Sequence, residues 1–244
     1  KQNIVVTGSY EQVRLFNHNE GQLKDIGNIK SFAGSARFLA TDADQHIWIS
    51  HPYRGVYKIN LKDSSTKLYT SDQGLPSTLN NHVYKIKNKV LIATERGIFE
   101  YNEINDRFEI SSYYKKIYGD KSVRYLKEDV LGNIWFVQDK NLGVIDLSGP
   151  KPSIVYIPEL NGNILSGFEN VYSYDKYNTF IGGQKGFYQI NFEKYKENIS
   201  PLKIFIRNVK IKGDVDSVLF GGYHGDINEE QSLSNLGNAK VKYQ

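Results

Sequence analysis

The chain has 244 residues, 39% of them hydrophobic, which is enough for a sizeable core, and its net charge of +4 is too small and too evenly spread to indicate nucleic acid as a partner. It contains no Cys, which excludes disulfides, thiolate metal sites and a Cys nucleophile. No apolar run reaches the roughly 18–20 residues that span a bilayer, and no signal-peptide pattern follows Lys1, so we expect a soluble region, with any export signal or membrane anchor of a parent protein outside it.

The first predicted elements in chain order are a strand at Ile4–Thr7 and a second strand at Val13–Phe16. The second strand lies in "EQVRLFN", and a similar phrase returns four times, as "RGVYKIN", "RGIFEYN", "LGVIDLS" and "KGFYQIN". The glycines of these phrases, Gly55, Gly97, Gly143 and Gly186, are 42, 46 and 43 residues apart. A period of this length indicates a fold built from repeated supersecondary units.

Each repeat contains four short strands, and the third repeat displays them most clearly. Its strands are Val123–Asp129, the segment "IWFV", the segment "GVIDLS" and Ser153–Ile157. Short strands bounded by Gly, Asp and Asn are an all-β pattern, and no segment keeps a 3.6-residue period, so we expect few helices. Four strands in about 40–50 residues make one propeller blade. The sequence therefore predicts an all-β fold with about five four-stranded propeller blades.

The repeat is incomplete near both ends of the chain. If the strands of a blade are labelled A to D from the propeller axis outward, Ile4–Thr7 is a B strand with no A strand before it. We therefore expect these blades to be part of a larger propeller with more blades upstream, or an A strand contributed from elsewhere. The pattern stops near Tyr195, and "PLKIFIRNVKIKGDVDSVLFGGY" then predicts two strands of another β-domain. We place the propeller at 1–198 and the start of the second domain at 199–244.

Several stretches resemble a known family of signalling proteins. "DADQHIWISHPYRGVYKIN" and "EDVLGNIWFVQDKNLGVIDLS" resemble the two-component regulator propeller repeat, and "SDQGLPSTLNNHVYKI" resembles the connector between such blades. "SPLKIFIRNVKIKG" resembles the opening of the three-tyrosine domain, an Ig-like β-sandwich that follows these propellers. The segments "KNKVLIA" and "NTFIGG" depart from the family pattern because they lack the Trp of the B strand, and family propellers usually have seven blades.

The resemblance implies the periplasmic sensor region of a Bacteroidetes hybrid two-component sensor or a related transcriptional regulator. In that family a transmembrane helix follows the sandwich, and many members sense oligosaccharides and control glycan-utilisation genes. It implies an oligosaccharide ligand, a homodimeric parent, no cofactor, no direct nucleic-acid contact by this region, and membrane contact only through a segment outside this chain. The output module, a histidine kinase or a membrane-linked helix-turn-helix segment, stays open.

The loops between B and C strands are the candidate ligand site, because blade geometry puts all of them on one face of the disc. The candidate residues in these loops are Tyr53, Arg54, Arg96, Lys140 and Lys185. Lys and Arg are also common in ordinary turns, and that interpretation stays open beside the functional one. The functional hypothesis is an anionic or highly hydroxylated ligand, with Arg54 and Arg96 holding a carboxylate or sulfate and Tyr53 as an apolar platform.

No catalytic residue is predicted. Glycoside hydrolysis needs two carboxyl groups roughly 5–10 Å apart, and the acids of the B–C loops are Glu95 and Asp139, each next to a cation with which it can form a local ion pair. We therefore expect a non-catalytic fragment. A propeller enzyme acting on glycans and a protein-binding scaffold remain the alternatives.

No metal site is predicted either. The acids of the A–B turns, Asp42, Asp44, Asp129 and Asp175, are expected to form Asx turns, because each turn offers too few oxygens for calcium. The five His residues have no metal-ligand spacing. Trp48 and Trp135 are expected to pack between blades rather than to bind a sugar.

Overall fold

The computed structural model describes residues 4–199, 208–211 and 217–221, and the chain divides into two compact units, Lys1–Asn198 and Ile199–Gln244. The first unit contains five small antiparallel sheets arranged in a ring, which form the blades of a β-propeller. The all-β propeller predicted from the repeat is therefore confirmed. Blades beyond these five stay a prediction.

Blade 1 has three strands, which are β1 (Ile4–Gly8), β2 (Val13–Asn19) and β3 (Gln22–Asn28). β1 pairs with β2, and β2 pairs with β3. β1 also contacts the strand Phe38–Thr41, the first strand of the next blade, so β1 is the innermost strand of this sheet. Among the described residues no strand lies inside β1, which agrees with the prediction that it is a B strand without its A strand.

Blades 2, 3 and 4 each have four strands in meander order. Blade 2 consists of β4 (Phe38–Thr41), β5 (His46–His51), β6 (Gly55–Asn60) and β7 (Thr66–Tyr69). Blade 3 consists of β8 (His82–Ile86), β9 (Lys89–Thr94), β10 (Gly97–Asn102) and β11 (Arg107–Ile110). Blade 4 consists of β12 (Tyr125–Glu128), β13 (Ile134–Gln138), β14 (Asn141–Asp146) and β15 (Ser153–Tyr156). The innermost strand β8 contacts both β4 and β12, so the A strands meet at the propeller axis as predicted.

Blade 5 has three described strands, which are β16 (Val171–Ser173), β17 (Thr179–Gly183) and β18 (Gly186–Ile190). Two short helices complete the unit, α1 (Ser112–Tyr118) between blades 3 and 4 and α2 (Phe192–Glu197) after β18. The side chain of Ser111 accepts a hydrogen bond from the backbone N–H of Tyr114 and caps α1. Helices of six or seven residues are too short to establish a period, so the sequence did not reveal them.

The hydrophobic core lies between neighbouring blades. Trp48 of blade 2 is 1% exposed and packs with Val83 and Phe108 of blade 3. Trp135 of blade 4 is fully buried and packs with Ile181 of blade 5. The prediction that both tryptophans pack between blades is confirmed.

The Asp residues of the A–B turns accept backbone hydrogen bonds within their own turns. Asp42 Oδ1 accepts from the N–H groups of Asp44 and His46 at 3.0 and 2.9 Å. Asp129 and Asp175 repeat this arrangement with two N–H groups each. The predicted Asx turns are confirmed at these three positions.

Two of the repeated glycines of the C strands lie where neighbouring atoms come too close for a Cβ atom. Gly55 has a φ of +105°, and a Cβ atom there would lie 2.2 Å from the carbonyl oxygen of Tyr69. A Cβ atom at Gly143 would lie 2.4 Å from the ring of Phe136. Gly55 and Gly143 thus lie where the structure leaves no room for a side chain, whereas a Cβ atom at Gly186 would meet no atom within 4 Å.

The second unit is described only over β19 (Asn208–Ile211) and β20 (Ser217–Gly221), which pair antiparallel with a register shift between Val209 and Lys210. The predicted pair of strands on either side of "GDVD" is therefore present. The rest of 199–244 lies outside the described residues, and its assignment to a three-tyrosine sandwich stays a prediction. Neither α1 nor α2 is long and apolar enough to cross a bilayer.

Candidate functional site

One face of the propeller carries both the B–C loops and the starts of the A strands. This follows from the antiparallel order of each sheet, because an A strand begins at the end where the neighbouring B strand finishes. Side chains from several blades therefore meet at this face close to the axis.

A cavity opens at this face, formed by two adjoining hollows of about 380 and 270 Å³. Both hollows share Asn80, His82 and Arg124 in their walls, and we call them together the central cavity. The larger hollow, here the mixed lobe, also includes Glu95, Ser122, Asp139, Lys140 and Ser166. The smaller hollow, here the cationic lobe, also includes Arg37, Phe38, His51, Tyr53 and Asn81.

Arg37 and Arg124 occupy equivalent positions of the repeat, each directly before the A strand of its blade. Arg37 donates a hydrogen bond to the backbone carbonyl oxygen of Gly167, and its guanidinium carbon lies 4.4 Å from the ring centre of Phe168. Arg124 Nη1 donates to Ser166 Oγ at 3.1 Å. Both guanidinium groups therefore contact the connector that leads into blade 5.

Arg124 also lies beside an acid that is almost fully buried. Its Nε is 4.0 Å from Glu169 Oε1, and the Glu169 side chain is 6% exposed. Glu169 therefore compensates part of the Arg124 charge. The structure shows no carboxylate within ion-pair distance of Arg37 among the described residues.

His82 is held in its neutral form. Burial and the nearby Arg124 guanidinium lower the pKa of His82 to about 4, against a smaller opposing effect of Glu169. Its Nδ1 is buried and has no hydrogen-bond partner among the described residues, and the same holds for Asn81 Oδ1. Buried polar atoms without partners are uncommon in folded proteins and are often found at functional sites.

His51 is also disfavoured as a cation. Burial and the neighbouring Arg54 lower the pKa of His51 from its usual value. The cationic lobe therefore owes its positive charge to its arginines, and both of its imidazoles act as uncharged polar groups.

The structure brings two of the five predicted site residues to the central cavity. Tyr53 is 75% exposed at the cationic lobe, and Lys140 lines the mixed lobe. Arg96 lines a separate groove with Phe99, Arg107 and Asp120. Arg54 and Lys185 are exposed and are not among the residues that wall the central cavity.

The residues that dominate the cavity, Arg37, Arg124 and His82, were missed by the sequence analysis. A signal for the two arginines does exist in the repeat. "RFL" at 37–39 and "RYL" at 124–126 stand at the same position relative to the following Asp and Trp. An alignment of the repeats on the A strand, rather than on the C-strand glycine, would have displayed this shared arginine.

Glu95 and Asp139, the acids considered for catalysis, both line the mixed lobe. The local ion pairs expected with Arg96 and Lys140 are not formed among the described residues, so that expectation is wrong. Glu95 Oε1 instead accepts a hydrogen bond from Asn80 Nδ2 at 2.6 Å.

Asp42, Asp44 and His46 also come together, with ligand-type atoms within 4.8 Å of one another. Both oxygens of Asp42 already accept hydrogen bonds, Oδ1 from two backbone N–H groups and Oδ2 from the Trp48 indole. The hydrogen bonds of the turn account for this cluster.

Comparisons with known proteins bear on the fold. No family model matches the chain, and no curated protein matches it. The extracellular domain of a hybrid two-component system of B. thetaiotaomicron aligns with a TM-score of 0.53 and 12% identity, over 79% of this chain and 26% of that one. The extracellular domain of a one-component system of the same organism aligns with a TM-score of 0.50 and 14% identity, over 77% and 26%.

The chain thus spans about a quarter of the length of these solved structures. A likeness at this level of identity establishes a common fold. The fold implied by the family resemblance is confirmed in this sense, because the chain shares its propeller architecture with extracellular domains of bacterial signalling systems.

Proposed function

We propose that this chain is part of the periplasmic, ligand-sensing region of a signal-transduction regulator, and that the central cavity binds an oligosaccharide. The observation that carries the proposal is the cavity itself, because its walls come from blades 2, 3 and 4 and from the connector to blade 5. A concave site with a few converging polar groups is the usual form of a small-ligand site. The shared fold with extracellular domains of two-component and one-component systems supports the same function.

The chemistry of the cavity suits a hydroxylated ligand. Lys140 and Arg124 supply donors, Glu95 and Asp139 supply acceptors, and Tyr53 offers an exposed aromatic face. Sugars carry hydroxyl groups that both donate and accept, together with apolar ring faces that pack on aromatic side chains. Among the rim residues predicted from the sequence, Tyr53 and Lys140 are the proposed direct contacts.

A ligand held by several blades can act as a signal. Binding shifts a receptor between two states only if the ligand has a different affinity for each state. A ligand that touches several blades favours one arrangement of those blades. In the proposed parent, a homodimer, this change reaches a histidine kinase or a helix-turn-helix segment that controls glycan-utilisation genes.

Calorimetric titration of the full chain with a panel of neutral and acidic oligosaccharides tests the proposal. We expect at least one ligand to bind, and Tyr53→Ala to weaken its binding about tenfold through loss of the aromatic platform. Tyr10→Ala is the matched control, because Tyr10 is equally exposed at 76% but lies in blade 1. Binding of no member of the panel, or equal losses in the two variants, contradicts the proposal.

A glycan-active enzyme is the second candidate, favoured by the presence of Glu95 and Asp139 in one lobe. The sensor proposal expects every bound oligosaccharide to be recovered intact after prolonged incubation. Release of shorter sugars by the wild type, and its loss in Glu95→Gln, would establish the enzyme instead.

A further inference from the structure

We infer that the cationic lobe is a subsite for an anionic group on the ligand, held by Arg37 and Arg124. The inference rests on the proposed binding of an oligosaccharide in the central cavity and specifies its chemical class as an acidic sugar, carrying a carboxylate or a sulfate. It assigns the anion to two arginines near the axis rather than to the exposed Arg54 and Arg96 of the rim.

The charges of the central cavity are separated between its two lobes. The mixed lobe has two acids, Glu95 and Asp139, in its walls beside the cations. No Asp or Glu is among the described residues that wall the cationic lobe, whereas Arg37 and Arg124 both are. An anion in the cationic lobe therefore meets two guanidinium groups and no lining carboxylate, while in the mixed lobe Glu95 and Asp139 offset the charges of Arg124 and Lys140.

The two guanidinium groups lie close together although they come from different blades. Arg124 contacts Ser166 and Arg37 contacts Gly167, which are consecutive residues of one connector. One ligand group in the lobe is therefore within reach of both arginines. Guanidinium groups bind planar carboxylates and sulfates through paired hydrogen bonds.

Arg37 keeps its charge available to a ligand. Its neighbours in the described structure are a backbone carbonyl and the rings of Phe38 and Phe168, at 5.3 and 4.4 Å from the guanidinium carbon. Rings and a carbonyl orient a guanidinium group without neutralising it. Arg124 is partly compensated by Glu169, so we expect Arg37 to contribute more to anion binding.

The remaining walls of the lobe fit a sugar ring with a charged substituent. Tyr53 and Phe38 provide apolar surface beside the arginines. Asn81 and His82 each have a buried polar atom without a partner in the described residues. Because His82 is neutral near pH 7, the attraction for an anion depends on the arginines and stays constant over that pH range.

Calorimetry with matched acidic and neutral ligands tests the inference. We expect trigalacturonate to bind at least about tenfold more tightly than galactotriose, and this preference to weaken as salt is raised. Arg37→Gln should weaken trigalacturonate binding about tenfold and change galactotriose binding by less than about twofold. Arg124→Gln should weaken trigalacturonate binding by a smaller factor, because Glu169 partly compensates the Arg124 charge. Arg54→Gln is the matched control, an exposed arginine outside the cavity walls, and should leave both affinities unchanged.

The outcomes separate the inference from the proposed function. Galactotriose binding as tight as trigalacturonate binding, or equal losses in Arg54→Gln and Arg37→Gln, overturns the anionic subsite and leaves the sensor proposal in place. Failure of every oligosaccharide to bind counts against the sensor proposal. Glucuronate alone then tests the subsite, through a shift of the His82 NMR signals that Arg37→Gln abolishes, and no shift overturns it.

Discussion

Trp48 donates its indole N–H to Asp42 Oδ2 at 2.8 Å, across the turn that joins β4 and β5. Trp135 and Asp129 repeat this hydrogen bond in blade 4 at 3.1 Å. Both indoles are buried between blades, where the N–H group needs a partner. The Asp of the repeat therefore has two roles, because one oxygen closes the turn and the other satisfies the tryptophan that packs against the next blade.

Replacement of Asp42 should expose this second role. We expect Asp42→Asn to lower the free energy of unfolding by about 1–3 kcal/mol, because an amide can place an N–H group against the buried indole N–H. Urea unfolding measures the difference. Asp63→Asn is the control, since Asp63 accepts a single backbone N–H at the surface and Asn can replace it there at a cost below about 0.5 kcal/mol. Equal losses in the two variants would show that Asp42 serves the turn alone.

Asp106 joins blades 2 and 3 and should make the propeller sensitive to acid. It accepts hydrogen bonds from Tyr69 and Tyr101, both at 2.6 Å, and pairs with Lys67. Lys67 and the two hydroxyl groups hold the pKa of Asp106 well below its usual value of 3.8. The unfolded chain therefore binds this proton more readily, so the stabilisation is complete above about pH 4 and is lost as the pH falls further.

Urea unfolding of the wild type and Asp106→Asn at neutral pH and near pH 3 checks this prediction. We expect the variant to be less stable than the wild type at neutral pH. The difference in the free energy of unfolding should narrow near pH 3, because the stabilisation by the ionised Asp106 carboxylate is partly lost there. Asp72→Asn serves as control, because the Asp72 carboxylate accepts no hydrogen bond in the described structure. A stability difference between wild type and Asp106→Asn that stays constant with pH would contradict the lowered pKa of Asp106.

The repeated glycines should differ in their tolerance of a side chain. A Cβ atom at Gly55 would lie 2.2 Å from a backbone oxygen, whereas one at Gly186 would meet no atom within 4 Å. Both residues have positive φ, so both carry backbone strain as Ala. We expect Gly55→Ala to cost about 3 kcal/mol or more and Gly186→Ala about 1 kcal/mol by urea unfolding. Similar losses of stability in the two variants would mean that the positive φ, and not the crowding around Gly55, explains why glycine is needed.

The pKa values of the two cavity histidines, His51 and His82, depend on the arginines near them. NMR titration should find His82 uncharged down to a midpoint of about 4. Arg124→Gln should raise that pKa, because the guanidinium group disfavours the imidazolium form. Arg54→Gln should instead raise the pKa of His51 and leave His82 unchanged. An unchanged pKa of His82 in Arg124→Gln would show that the Arg124 guanidinium does not lie close enough to His82 to affect it.

The blades could be predicted from the sequence because each blade is formed by one continuous stretch of chain with a repeated residue pattern. Gly55, Gly97, Gly143 and Gly186 recur in successive C strands, and the short apolar runs of the B strands reflect burial on both faces of each sheet. The five described blades, the order of their strands and the packing of Trp48 and Trp135 followed from it, whereas the total number of blades stays a prediction. The helices α1 and α2 did not, because one or two turns of helix leave no period to detect.

Only the tertiary structure decided the candidate site. Arg37 and Arg124 are two blades apart in the sequence and meet because the ring turns both A strands toward one axis and one connector. The rim residues Arg54, Arg96 and Lys185 share a loop position but are not among the residues that wall the central cavity. Membership of the cavity depends on distance from the axis and on the direction of each side chain, which a repeat along the chain does not encode.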